Sequence, residues 1–147
     1  MAEQIRIREA RPADSRQLAE LMNAAGEGIP AYLWARMAPP GEDPLDFGTR
    51  RVGRREGAFS YRNMQVAVVD GVLAGMLLSY RLPDPYDIEW REDLPSIVRP
   101  ALELESLVPG SWYINAIATV AAMRGRGIAN AQWLAPSGWL RRRGRIR

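Results

Sequence analysis

Residues 112–129 read WYINAIATVAAMRGRGIA, and the fold turns on how that stretch is parsed. Trp112 to Thr119 is apolar at most positions and carries β-branched Ile114, Ile117 and Thr119, which predicts a strand. A short connection then leads to Arg124-Gly125-Arg126-Gly127-Ile128-Ala129 and on toward a helix. Glycines at 125 and 127 allow positive φ and close approach of another molecule to the backbone. Successive amides entering a helix offer an anion a place to bind, and Arg124 and Arg126 add fixed positive charge. The segment reads as a strand that delivers a phosphate-sized cradle.

Working back toward the N-terminus, Met64 to Val69 and Val72 to Tyr80 are two apolar, β-branched runs joined by Asp70-Gly71, the clearest hairpin signal in the chain. Ile5-Arg6-Ile7-Arg8 alternates as a half-buried edge strand does. Pro12, Asp14 and the spacing of Leu18, Leu21 and Met22 predict a helix over about residues 12–25, stopped by Gly26 and Gly28. Ile29 to Met37, ending at Pro39-Pro40-Gly41, predicts at most a short helix on a mobile segment. Asp43-Pro44 opens another, expected to run to Glu56 and end at Gly57. Its arginines at 50, 51, 54 and 55 read as a solvated face or as a lure for an anionic ligand. Residues 82–95, with Pro83, Pro85 and Pro95, predict an irregular excursion. Ile97 to Leu107 then predicts a short helix with Leu102, Leu104 and Leu107 facing inward and Glu103 and Glu105 on other faces.

Absent residue types exclude whole chemistries. The 147 residues contain neither Cys nor His, and all 20 basic residues are Arg. That removes disulfides, thiolate nucleophiles, imidazole bases and Schiff-base lysines, and it leaves no metal site of the usual Cys/His kind. The net charge is +3, but five arginines lie among the last seven residues, so residues 1–140 carry −2. A slightly acidic body argues against a nucleic-acid reader, whose charge would form a patch on the folded face. Glu3, Arg6 and Arg8 interrupt any early apolar run, and Asp70-Gly71 divides the longest one, so the expected location is cytoplasmic and off the membrane.

The order of strand, helices, hairpin, excursion, strand and glycine turn, with Arg124-Gly125-Arg126-Gly127-Ile128-Ala129 at its end, resembles the GNAT superfamily of acyl-CoA-dependent N-acyltransferases. The resemblance covers roughly residues 4–131. It implies an α/β fold, a mixed and mainly antiparallel sheet flanked by helices, interrupted after its fourth strand. Ala121 and Met123 stand where the family usually has a proline and an aromatic residue. The family continues with a long amphipathic helix and further strands, whereas residues 130–147 read NAQWLAPSGWLRRRGRIR, broken by Pro136 and Gly138. The division expected is a partial acetyltransferase domain over 1–131 and a basic, irregular tail over 132–147. This end is expected to be truncated or frame-shifted relative to the family.

The resemblance also implies site residues. Ile117, Ala118 and Thr119 would line the pantetheine arm of acetyl-CoA, the co-substrate, and Arg124, Gly125, Arg126, Gly127, Ile128 and Ala129 its pyrophosphate. Without His, a carboxylate must take the proton from the attacking ammonium, and Glu105 and Glu103 precede the strand. The commoner role for glutamates so placed is a solvated helix face. By strand alternation Tyr113 and Asn115 share a face with Ile117 and are expected to border the acceptor, a small-molecule or peptide amine. Trp34, Trp90, Trp112, Tyr32 and Tyr86 read either as packing residues or as an aromatic acceptor pocket. The functional expectation is N-acetyl transfer by direct attack of an amine on the thioester. The alternative is a catalytically impaired acyl-CoA-binding or interaction protein, because the family's thiolate-protonating tyrosine has no counterpart here. An open edge on the 112–119 strand would favour homo-oligomers.

Overall fold

The computed structural model describes residues 4–88 and 95–135. Four strands form one sheet in the order β1 (Ile5–Glu9), β2 (Met64–Val69), β3 (Val72–Arg81) and β4 (Trp112–Thr119), and every neighbouring pair is antiparallel. The Asp70-Gly71 turn has φ of 49° and 80°, two left-handed residues as a tight hairpin of matching twist requires. All six residues of β2 are buried because both faces of the sheet are covered. On one face α1 (Ser15–Ala25), α2 (Ile29–Met37) and α3 (Pro44–Val52) enclose the main core, in which Leu18, Met22, Val52, Val66, Met76 and Leu78 are buried. On the other, α5 (Ile128–Leu134) lays Ile128 against Ala67, Val69 and Ala74.

Local chemistry sets the helix boundaries. The Asp14 carboxylate accepts the Arg11 amide at 2.8 Å and holds the Arg8 guanidinium at 2.8 and 3.0 Å, tying β1 to the turn that opens α1. Asp43 caps α3, its Oδ1 accepting from Leu45 N at 2.8 Å and Asp46 N at 3.2 Å, with Pro44 in the first turn. Trp34, 5% exposed, seats α2 on α3 over Gly48, where a Cβ would fall 2.4 Å from the indole. Close helix approach requires glycine there.

Two helical expectations are corrected. The third helix stops at Val52 rather than Glu56, because Gly53 caps it through Thr49 O and the Ser60 hydroxyl takes the Arg54 carbonyl, which turns the chain. The helix before the last strand, α4 (Arg99–Ser106), buries neither Leu104 nor Leu107, which are 67% and 74% exposed. Its inner side is set by Glu105, bonded to Tyr86, with half-buried Leu102 one turn earlier, so Leu104 and Leu107 rotate outward. The 132–147 tail falls mostly beyond the described residues, as does Trp90; residues 132–134 are the last turn of α5.

Candidate acyl-donor and acceptor site

The site grows from an irregularity in β4. Leu78 pairs with Ala116 but Ser79 with Ile114, so Asn115 is an extra residue, a β-bulge. Pairs in register share a face, and the bulge shifts the phase of β4 halfway along. Tyr113, Ala116 and Ala118 stand with Tyr80, Leu78 and Met76 on the α1 face, while Ile114, Ile117 and Thr119 stand with Ser79, Leu77 and Gly75 on the other. The expectation that Tyr113, Asn115 and Ile117 share one face is therefore corrected: Ile117 lies opposite Tyr113, because period-2 alternation fails across a bulge. Asn115 points to the α1 side, where its Nδ2 donates to Tyr80 Oη at 3.1 Å.

A cavity of about 340 Å³ lies between β4, the glycine turn and the C-terminal end of α1. Its walls include Ile117, Ala118, Thr119, Arg124, Gly125, Gly127, Ile128 and Ala129, eight of the nine residues expected to hold acetyl-CoA, with Ala24 and Ala25 opposite. Arg126 is exposed and lies outside the lining. Gly125 and Gly127 both have φ of 77°, and a Cβ built on either meets nothing within 4 Å, so the backbone faces open space. The first bond of the α5 ladder runs from Ala131 N to Gly127 O at 2.9 Å, leaving the amides of residues 128–130 ahead of it.

The two glutamates separate. Glu103 is exposed, and its carbonyl accepts the Ser106 hydroxyl at 2.6 Å. Glu105 accepts the Tyr86 hydroxyl at 2.7 Å and sits among phenols. Burial, then the bond to Glu105 and its charge, pushes the Tyr86 phenol up to about 12. Burial and the same carboxylate also raise Tyr80 and Tyr113, whose rings meet edge to face at 5.8 Å. All three phenols are thus held protonated at neutral pH. The aromatic residues considered as one pocket are divided: Trp34 is in the core, Tyr32 is half exposed beneath Arg36, Tyr86 is at Glu105 and Trp112 opens β4.

A second, apolar pocket of about 160 Å³ adjoins the first and shares Ala25 with it. Its lining includes Met22, Leu33, Trp34, Phe59 and Asn115, and one cation, Arg51. The reading of four solvated arginines over residues 50–55 holds for exposed Arg54 and Arg55, beyond α3, and for Arg50, paired with Glu42 at 2.6 Å, but not for half-buried Arg51. The signal was present in the sequence, since 47, 48, 51 and 52 recur on one helical face and Phe47, Gly48 and Val52 are buried. Among the described residues no cluster of three or more acidic, His or Cys side chains could hold a metal, and no helix is long and apolar enough to cross a membrane.

Comparison by sequence finds no matching family profile and no matching curated protein. Comparison by structure finds acetyltransferases. An N-acetyltransferase from Staphylococcus aureus Mu50 is 26% identical with a TM-score of 0.54, the match covering 90% of this chain and 75% of that one. A Drosophila melanogaster polyamine N-acetyltransferase that forms N-acetylagmatine is 16% identical with a TM-score of 0.64, covering 96% and 72%. A GNAT-family acetyltransferase from Brucella melitensis in complex with acetyl-CoA is 15% identical with a TM-score of 0.54, covering 96% and 71%. The chain has the GNAT N-acetyltransferase fold, as the strand and glycine turn implied.

Proposed function

We propose that the chain binds acetyl-CoA along β4 and the glycine turn and transfers the acetyl group to an amine. The observation that carries the reading is the 340 Å³ cavity, which draws eight residues from β4, the turn and the start of α5 onto one wall. The cradle fits the donor: two glycines with φ of 77° leave room for the pyrophosphate, and Arg124 is on the rim. β4 has β3 as its one strand neighbour among the described residues, so its outer edge is placed to bond the amides of a pantetheine arm.

Acetyl-CoA supplies the thioester. The chain's own part is to hold the donor, desolvate the amine and manage two protons. The amine nitrogen bonds to the thioester carbon, the carbon–sulfur bond breaks, and the thiolate leaves and is protonated. Glu105, near the phenols that border β4, is the carboxylate placed to take the ammonium proton through water. Tyr80 and Tyr113 keep their protons at neutral pH and offer hydrogen bonds next to the apolar pocket that Phe59 and Asn115 line, where the amine would sit.

The test is mass action. Acetyl-CoA at a hundredfold excess over its dissociation constant should stabilise the fold by about 2.7 kcal/mol, seen as a raised midpoint of thermal unfolding. Free CoA should then accumulate with a panel of amines. An unchanged midpoint in folded protein overturns the donor assignment. A raised midpoint without CoA release supports an acyl-CoA-binding protein that does not turn over.

A further inference from the structure

Arg51 is an anomaly on electrostatic grounds. A guanidinium partly withdrawn from water against apolar walls is normally paired with a carboxylate. Here its neighbours in the second pocket are Met22, Leu33, Trp34 and Phe59, and its hydrogen bond is to the weak acceptor Met37 Sδ at 3.9 Å. No ion pair to Arg51 forms among the described residues. Burial, and then the charge of Arg54, pulls its pKa below the ordinary arginine value, and no acidic group among the described residues offsets either effect. The other arginines of α1 and α3 show what the chain does where it intends a pair: Arg16 holds Glu20 and Asp46, and Arg50 holds Glu42. Among the described residues Arg51 has no carboxylate partner where α3 borders this pocket.

Its position says what that partner is. The Arg51 pocket shares Ala25 with the donor cavity and includes Asn115 and Ala116, the bulge residues immediately before Ile117 and Ala118 of that cavity. The two spaces lie end to end along β4. Asn115 and Phe59 lead from Arg51 to Tyr80 and Tyr113, and these phenols lead to Glu105. A molecule spanning the pocket would meet a cation at one end, apolar walls in the middle, and an acidic, hydrogen-bonding group toward the other.

We propose that the acceptor amine carries a carboxylate, held by Arg51, on a small apolar body, as in an apolar amino acid or a short ω-amino acid. This rests on the acetyltransferase reading of the adjoining cavity. The planar guanidinium recognises a carboxylate through two parallel hydrogen bonds, and the largely apolar lining strengthens them. Asn115 orients the amine end through its contact with Tyr80. A polycationic acceptor meets a like charge at Arg51 and is disfavoured.

The experiment compares matched ligands by calorimetry: L-leucine, L-phenylalanine and 6-aminohexanoate, each against its carboxamide, with and without CoA. At least one carboxylate should bind about tenfold or more tightly than its carboxamide. Arg51→Gln should reduce that preference to within about twofold and Arg51→Lys should restore part of it, because Lys keeps the charge and loses the planar fork. Equal binding of every pair to the wild-type protein, or a preference that survives Arg51→Gln, overturns the assignment; the wild-type comparison decides even if the variant fails to fold. A midpoint raised by acetyl-CoA with no carboxylate preference overturns the Arg51 assignment alone. A carboxylate preference with no acetyl-CoA effect supports the pocket and overturns the acetyltransferase reading.

Discussion

Gly127 carries a demand that no other residue type meets cheaply. At φ of 77° a β-branched side chain is strained by about 1–3 kcal/mol, and its methyls would enter the space in front of the turn amides. Gly127→Val is therefore expected to leave the chain folded while abolishing the rise in unfolding midpoint produced by acetyl-CoA; an undiminished rise means the turn does not contact the ligand. Asp14 poses a different test. The Arg8 guanidinium, through its hydrogen bonds, holds the Asp14 carboxyl below the usual carboxylate range. The folded state thus gives up this proton more readily than the unfolded chain. Its stabilisation is complete above the unfolded value, about 3.9, and is lost as pH falls through the lower folded value. Asp14→Asn should cost about 1–2 kcal/mol in urea unfolding at pH 7, and the gap from wild type should narrow on acidification. A gap that is the same at low pH would place the loss in packing instead.

Helices α4 and α5 show where periodicity misleads. In α4 the leucine spacing suggests an inner face, yet the Glu105–Tyr86 bond and half-buried Leu102 decide which side docks. In α5 polarity is inverted over the last turn: Gln132 is 0% exposed, while Trp133 and Leu134 are 60% and 67% exposed. Among the described residues neither polar atom of the Gln132 amide has a hydrogen-bond partner, and its Oε1 lies against Gly75, 2.7 Å from where a Cβ would stand. Its backbone carbonyl, by contrast, accepts the buried Gln65 Nε2 at 3.1 Å. Gln132→Leu keeps that bond and a similar volume while removing an unsatisfied amide, so it should stabilise the fold by about 1–3 kcal/mol. An unchanged or lowered midpoint in chemical unfolding would show that the amide finds a partner in solution.

At the scale of the whole molecule, β4 closes the sheet on one side and pairs only with β3 among the described residues. Its eight residues are half-buried, and the Asn115 bulge interrupts its ladder without covering it. Such an edge is a template for another strand. The chain is expected to self-associate through β4 or to cover it with its own C-terminal residues. Light scattering on a size-exclusion peak reads the first outcome, and slow amide exchange near Asn115 in a monomer reads the second. A monomer whose β4 amides exchange rapidly would show an edge neither paired nor covered. Acetyl-CoA should compete with self-association, because both use the same row of backbone groups.

What the sequence by itself determined is what neighbouring residues control. Asp70-Gly71 compels the hairpin and Gly125 and Gly127 the turn, because those steps are set by φ preferences within a few residues. The strand at 112–119 and the helix over α1 follow from short-period patterns, and with them the GNAT order of elements and eight residues that line the cavity beside β4. What only the tertiary structure decided is phase and partnership. The bulge at Asn115 exists because β3 pairs across it, so Ile117 parts from Tyr113 though alternation within β4 joins them. Arg51 is one of four similar arginines until α2 and β4 bring apolar side chains to its flank, and Gln132 becomes a buried amide only when α5 lands on Gly75. Each depends on a surface supplied by residues far along the chain, and the burial of a polar group is a property of that contact rather than of its own neighbours.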